Sequence, residues 1–216
     1  MKVAIAHTCK VTDCNKKVFG YGYCSRHYHQ LRRFGFIKGN PKRTCKDSNE
    51  IIKEENVCRI KLYNKLGEEI AETIIDLEDY DKAKKYKWSI QSNKGHVGTH
   101  IKGKSCHLDN IILGASSRES QIDHKDRNPL NNRKDNLRIC SIKQNGWNRG
   151  PNKNSTTGLK GVSRTENTKW RVSIQRDRGG SPLYSKVFTD KEKAIQAYNK
   201  EALKIQGQFA YINPIN

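Results

Sequence analysis

Little in this chain could build one large hydrophobic core. Of its 216 residues, 34% are hydrophobic and 8% aromatic, with a single methionine and five prolines, whereas globular domains run at about 45–50% apolar. Two or three small modules suit such a composition better than one core. No apolar run approaches the roughly 20 residues of a membrane helix, which excludes a helical membrane span. The opening MKVAIAHTCK has too short an apolar stretch for a secretory leader, so a cytoplasmic protein is expected. Cysteines number seven; an odd count without a secretory signal reads as metal ligands or buried thiols, not as a disulfide framework. Acidic residues are scarce, 22 against 42 basic, for a net charge of +20. That excess calls for a polyanionic partner, of which nucleic acid is the commonest. The low aromatic content argues against the stacking platforms of single-strand RNA binders.

The charge is uneven. Residues 1–50 carry 11 basic and 3 acidic side chains, residues 51–114 carry 11 and 10, and residues 151–216 carry 12 and 5. The ends would therefore grip a phosphate backbone more strongly than the middle.

Residues 9–27 read CKVTDCNKKVFGYGYCSRH, a Cys9-x4-Cys14-x9-Cys24-x2-His27 spacing. Four borderline-soft ligands in two close pairs are what a tetrahedral structural zinc requires, and such an ion can fold a chain too short for its own core. Gly20-Tyr21-Gly22-Tyr23 between the pairs suits a tight turn. Tyr28, Leu31 and Phe34 then fall at helical spacing with Gly35 as a stop signal, and Arg26, Arg32 and Arg33 decorate that helix as DNA contacts. The segment resembles the small Cys-Cys-Cys-His fingers at the front of phage HNH proteins. Residues 39–56 follow as a polar linker. Cys45, Cys58, Cys106 and Cys140 lack paired spacing; they read as buried thiols or, alternatively, as a second zinc set.

Alternation marks strands over 57–63 and 69–75, a helix is expected from Leu77 towards Trp88, and two further strands are expected over 96–102 and 105–113. The informative stretch is residues 121–149, QIDHKDRNPLNNRKDNLRICSIKQNGWNR. A strand ends at Ile122, Asp123 and His124 follow with diverging side chains, and a second strand covers 137–140. Ser141-x-x-Gln144 opens a helix with a capping box. Asn136 lies in the intervening loop, and Asn145 sits on the helix 21 residues beyond His124. A divalent ion held by two oxygen ligands beside a histidine base is the arrangement this pattern outlines.

Asp123-His124, Asn131-Asn132-Arg133, Asn136-Leu137-Arg138, Asn145 and Asn148-Arg149 closely resemble the HNH endonucleases of phage and mobile introns, in their His-Asn-Asn variant. The resemblance implies a ββα-metal fold and a one-metal mechanism acting on double-stranded DNA in a bacterial or phage-infected cell. In it His124 is the general base, Asp123 and Asn145 hold Mg²⁺ or Mn²⁺, and Asn136 clamps the loop that orients His124. Arg133, Arg138, Asn148 and Arg149 would meet the DNA backbone. One metal centre per chain implies nicking by a monomer or weak dimer. Family members commonly carry His-Arg-Leu where this chain has His107-Leu108-Asp109, and His107 is open between structural, phosphate-contacting and catalytic roles.

After a polar linker at 150–157, three strands are expected over 160–164, 169–176 and 183–188, with a turn at 178–181. A helix follows, capped by Thr189 and Glu192 and ended by Gly207. This part resembles the AP2 DNA-binding domain, a three-stranded sheet backed by one helix. Its exposed face would carry Lys160, Arg164, Arg171, Arg176, Tyr184 and Lys186 into the major groove. The sequence thus describes an α+β, multi-module chain: zinc module 1–38, nuclease domain 57–149 and AP2-like domain 158–216. The leading function is a homing- or phage-type DNA endonuclease. A nonenzymatic DNA-binding regulator with a decayed hairpin is the alternative.

Overall fold

The computed structural model describes residues 8–37, 47–91, 95–114, 121–165, 168–176 and 180–215. Residues 39–46 of the first linker, Cys45 among them, and part of the 178–181 turn lie outside them. The chain divides into two compact units, residues 1–50 with 61–71 and residues 51–60 with 72–216. The secondary structure is mixed α and β, in four small sheets and five helices among the described residues.

The first unit contains the metal-type cysteines and helix α1 (Ser25–Phe34). Gly20 and Tyr23 exchange backbone hydrogen bonds around Tyr21 and Gly22, which take φ of 52° and 83°. Positive φ at both central residues is the type I′ hairpin turn, and glycine meets that demand without strain. α1 stops because Gly35 turns left-handed (φ 74°) and returns its N–H to Leu31 O.

The second unit begins with β1 (Ile51–Lys53), inside the stretch read as linker. It pairs antiparallel with β2 (Val57–Tyr63), Ile51 opposite Ile60, and β3 (Glu69–Asp76) flanks β2 on the other side. The helix expected from Leu77 to Trp88 is shorter: a 3₁₀ turn leads into one helical turn, α2 (Tyr80–Ala83). Trp88 is buried beyond that helix and donates its Nε1–H to Ala83 O at 2.9 Å, so burial of the indole takes the place of helix continuation.

Strands β4 (Ser89–Ile90), β5 (Val97–Ile101) and β6 (Lys104–His107) form a second antiparallel sheet. The strand expected over 105–113 ends at His107, and α3 (Leu108–Leu113) takes over. Asp109 favours the first turn of that helix electrostatically, and Gly114 (φ 66°) closes it. The hairpin of β7 (Gln121–His124) and β8 (Leu137–Cys140) packs against α4 (Ile142–Asn148). The Ser141–Gln144 capping box that opens α4 is present in both directions. β7 runs through Asp123 and His124 instead of ending before them, because these residues pair with Arg138 and Leu137.

The C-terminal part has β9 (Val162–Arg164), β10 (Trp170–Ile174) and β11 (Tyr184–Phe188) in the order β11-β10-β9, backed by α5 (Lys191–Gln206). Val172, Ile174, Ala194, Ile195, Tyr198 and Ala202 form its core, each large aliphatic there being worth about 1.5–3 kcal/mol of burial. The cap of α5 is Asp190, whose side chain accepts from Lys193 N at 2.7 Å, one residue later than the expected Thr189. Asn213 exchanges hydrogen bonds with Asn199 and with the backbone of Lys160, tying the tail to α5 and to the start of the sheet.

Candidate functional site

Within the first unit, Cys9, Cys14, Cys24 and His27 converge and are all buried. Cys14 Sγ and Cys24 Sγ are 3.9 Å apart, and His27 Nδ1 lies 3.2 Å from Cys9 Sγ and 3.5 Å from Cys24 Sγ. A tetrahedral zinc with bonds of about 2.3 Å to sulfur and about 2.0–2.1 Å to nitrogen sets S···S at about 3.8 Å and S···N at about 3.6 Å. The observed separations are close to those of ligands around one such ion. Burial opposes ionisation of Cys9, but the Cys24 backbone and the His27 side chain, with smaller help from Val11 and Cys14, bring its thiol down to about 6. Burial pushes the Cys24 thiol up. Arg32 and Arg33 are exposed on α1 and Arg26 is half-buried. Among the described residues, Cys58, Cys106 and Cys140 join no such cluster.

In the second unit, an open cleft of about 690 Å³ is lined by His96, Asp123, His124, Arg127, Asn145 and Arg149, among others. Asp123 and His124 are adjacent on β7, so their side chains leave on opposite faces. Both are buried.

The His124 Nε2 lies 3.2 Å from Asn132 Oδ1. Asn132 is 2% exposed, and its Nδ2 donates to Pro129 O at 3.0 Å and to Thr73 Oγ1 at 2.9 Å. A carbonyl only accepts, so Pro129 fixes the Asn132 amide with its oxygen toward the imidazole. Nε2 of His124 must then carry the hydrogen, and in the neutral ring Nδ1 holds the free lone pair. Thr73 in turn donates to Leu130 O at 2.8 Å. This chain of hydrogen bonds runs from β3 to His124, and no local feature of the sequence distinguishes Asn132 for that place from its neighbouring asparagines.

Asn136 clamps the loop. Its Nδ2 donates to Asp126 Oδ1 and Asn131 O, and its Oδ1 accepts from Asp126 N. Burial raises the Asp126 pKa, but the Asn128 N–H, the Asn131 and Asn136 amides and the neighbouring His124 outweigh it, leaving the carboxyl below its ordinary value. Arg133, half-buried, donates its Nε to Asp76 Oδ1 at 2.9 Å, anchoring the loop to the end of β3.

Asp123 Oδ2 accepts from Arg138 Nε at 2.8 Å and Nη2 at 2.6 Å, and Asn148 Nδ2 donates to Asp123 Oδ1 at 2.9 Å. A carboxylate offers about four lone-pair sites, so Oδ1 keeps capacity for one more partner facing the cleft. Arg138 and Asn148, both expected to touch DNA, are internal supports instead. Arg138 also donates to Gln208 O and lies 4.2 Å from the Phe209 ring centroid, and buried Asn148 also donates to His124 O. Asn145 Nδ2 donates to Gln121 Oε1 at 2.6 Å, which leaves its Oδ1 as the ligand-type atom. Arg149 stays exposed on the cleft wall.

The C-terminal sheet corrects the expected DNA face. Register puts Arg164 opposite Trp170, Lys186 opposite Val172 and Tyr184 opposite Ile174, and directly paired residues share a face. These three therefore belong to the side that carries the α5 core, where Tyr184 packs and Arg164 and Lys186 remain exposed at the edge strands. Arg171 projects from the opposite side. Arg176 is exposed beyond the end of β10. Lys160 is withdrawn altogether: its Nζ donates to the carbonyls of Gly146, Trp147 and Arg149 at the end of α4. Burial, then the charges of Arg149 and Arg127, lower it to about 8.

Comparison with known proteins adds a family likeness to this geometry. The HNH endonuclease family profile matches residues 113–147, a stretch that includes Asp123, His124, Asn136 and Asn145. An uncharacterized HNH endonuclease of Acanthamoeba polyphaga mimivirus is 28% identical over 145 residues, covering 66% of this chain and 74% of the relative. Protein 3.8 of Escherichia phage T7 is 37% identical over 90 residues, covering 41% of this chain and 72% of the relative. No solved structure matches.

Proposed function

Because this chain belongs to the HNH endonuclease family and is a nuclease, we propose that it hydrolyses phosphodiester bonds of double-stranded DNA with His124 as general base, nicking one strand per centre. The observation that carries this reading is the Asn132–His124 hydrogen bond, which fixes a basic Nδ1 beside a polar cleft. The Nδ1 lone pair takes a proton from water, the resulting hydroxide attacks phosphorus as the P–O3′ bond breaks, and the leaving 3′ oxygen takes a proton from solvent water, giving 5′-phosphate and 3′-hydroxyl ends. As the ring becomes positive, its Nε2–H bond to Asn132 strengthens. Asp123 Oδ1 and Asn145 Oδ1 are a hard oxygen pair suited to Mg²⁺ or Mn²⁺. Such an ion, when bound, supplies positive charge beside the scissile phosphate. Arg127 and Arg149 on the cleft walls attract the backbone.

Zinc in the Cys9, Cys14, Cys24 and His27 set is the structural ion, supported by the ligand separations. The C-terminal sheet and α5 are read as an AP2-like DNA grip, with Arg171 on the outer face and Arg164, Arg176 and Lys186 at its margins. Action in the cytoplasm of a bacterial or phage-infected cell agrees with the phage relative. No helix among the described residues is long and apolar enough to cross a membrane.

Supercoiled DNA supplies the test. Open circles should form with Mg²⁺, and not with EDTA or with Asp123→Ala. Cutting that persists in EDTA would overturn the reading.

A further inference from the structure

Three ligand-type side chains meet beside the cleft, and of these only His124 has a part in the proposed chemistry. Ligand atoms of His96, Asp109 and His124 all lie within 4.8 Å of one another. They come from three places in the fold: the residue before β5, the first turn of α3 and the end of β7. The His96 ring meets His124 edge-on, with centroids 5.8 Å apart, and stacks on His107 at 5.4 Å. Asp109 is 5% exposed, its Oδ1 accepts from Asn110 N at 2.7 Å, and among the described residues no lysine or arginine pairs with it. A buried carboxylate facing imidazoles and lacking a cationic partner draws a cation. His96 and His124 both line the cleft, so an ion has a path in from solvent.

We infer that His96, Asp109 and His124 form a second metal site, selective for a borderline ion such as Zn²⁺ over Mg²⁺, whose occupancy switches cleavage off. Two nitrogens and one carboxylate suit zinc or cobalt, whereas magnesium prefers an all-oxygen shell. Bonds of about 2.0–2.2 Å hold tetrahedral ligand atoms about 3.3–3.5 Å apart, so no pair in the triad need close by more than about 1.5 Å around the ion. Asn132 holds the Nε2–H of His124, which makes Nδ1 the ligand atom. Metal bonding there consumes the lone pair that would accept the proton from water. The loss of cleavage rests on His124 being the base; the binding does not.

The test uses the full chain dialysed against buffered Zn²⁺, with metal counted per chain for wild type, Asp109→Asn and His96→Ala. Asn at 109 keeps the acceptor for the Asn110 N–H, which guards against a folding artefact. Wild type should hold one more zinc than either variant. With Co²⁺, that extra equivalent should add visible d–d absorption without a thiolate charge-transfer band, which separates it from the cysteine site. In fixed Mg²⁺, added Zn²⁺ should stop wild-type nicking, while Asp109→Asn nicks normally and tolerates more than about tenfold higher zinc, the scale of loss seen when metal-site support is removed. Equal zinc content in all three proteins overturns the site. Extra zinc that depends on Asp109 and His96 but leaves nicking untouched overturns the switch and the role of His124 as base, and keeps the site.

Discussion

Asn132 spends both amide hydrogens on Thr73 Oγ1 and Pro129 O, so only its oxygen is left to meet His124. An Asn132→Ala change should lower nicking by about two orders of magnitude, since a misoriented base loses much of what general-base catalysis supplies. The change also strands the Pro129 carbonyl and the Thr73 hydroxyl, at about 1–3 kcal/mol for such unmet groups. Asn132→Asp separates the two effects. The carboxylate would favour the imidazolium, so the acidic limb of the pH–rate profile should move to higher pH, and a profile unmoved in Asn132→Asp would mean that the residue only holds the fold. Spacing made Asp123, His124, Asn136 and Asn145 legible in the sequence. It could not single out Asn132, because Asn128, Asn131, Asn132 and Asn136 are chemically alike, and only the approach of β3, through Thr73 some 60 residues away, decides which one turns inward.

Among the elements, the junction of α4 with the C-terminal sheet is held by one lysine. Lys160 collects three carbonyls that α4 leaves without intrahelical partners, and Gly161 beside it (φ 66°) lies so close to Tyr198 that a Cβ would come within 2.3 Å of the ring. Lys160→Met keeps the stem and removes the donor, and should cost about 1 kcal/mol or more, seen as a melting point lower by about 2–4 °C. The pH dependence has a definite sign. The folded value of about 8 lies below the ordinary 10.5, so between those values the unfolded chain holds the extra proton and stability rises with pH. Wild type should gain that increment between pH 8 and 10, and Lys160→Met should not. Sequence periodicity placed β10 and its inward Trp170, Val172 and Ile174, because alternation in one strand is a local property. Register between strands is not local, so the sequence alone does not show that Arg164, Tyr184 and Lys186 share a face with Trp170, Ile174 and Val172. The fate of Lys160, set by a helix end some 12 residues earlier, was equally out of reach.

For the molecule as a whole, the net charge of +20 favours a polyanionic partner, and the cleft of the second unit is where the account has it cut. His124, Asp123 and Asn145 line a single cleft with Arg127 and Arg149. Arg133 and Arg138, which also belong to the hairpin, brace Asp76 and Asp123. Binding and cleavage should therefore separate cleanly: removing the base leaves the basic surface intact. The most direct measurement compares wild type with His124→Ala on supercoiled DNA in Mg²⁺ under single-turnover conditions, alongside a gel shift. Nicking should fall by about 10²–10⁴-fold while DNA is bound as tightly as before. A His124→Ala protein that nicks at the wild-type rate would contradict the account.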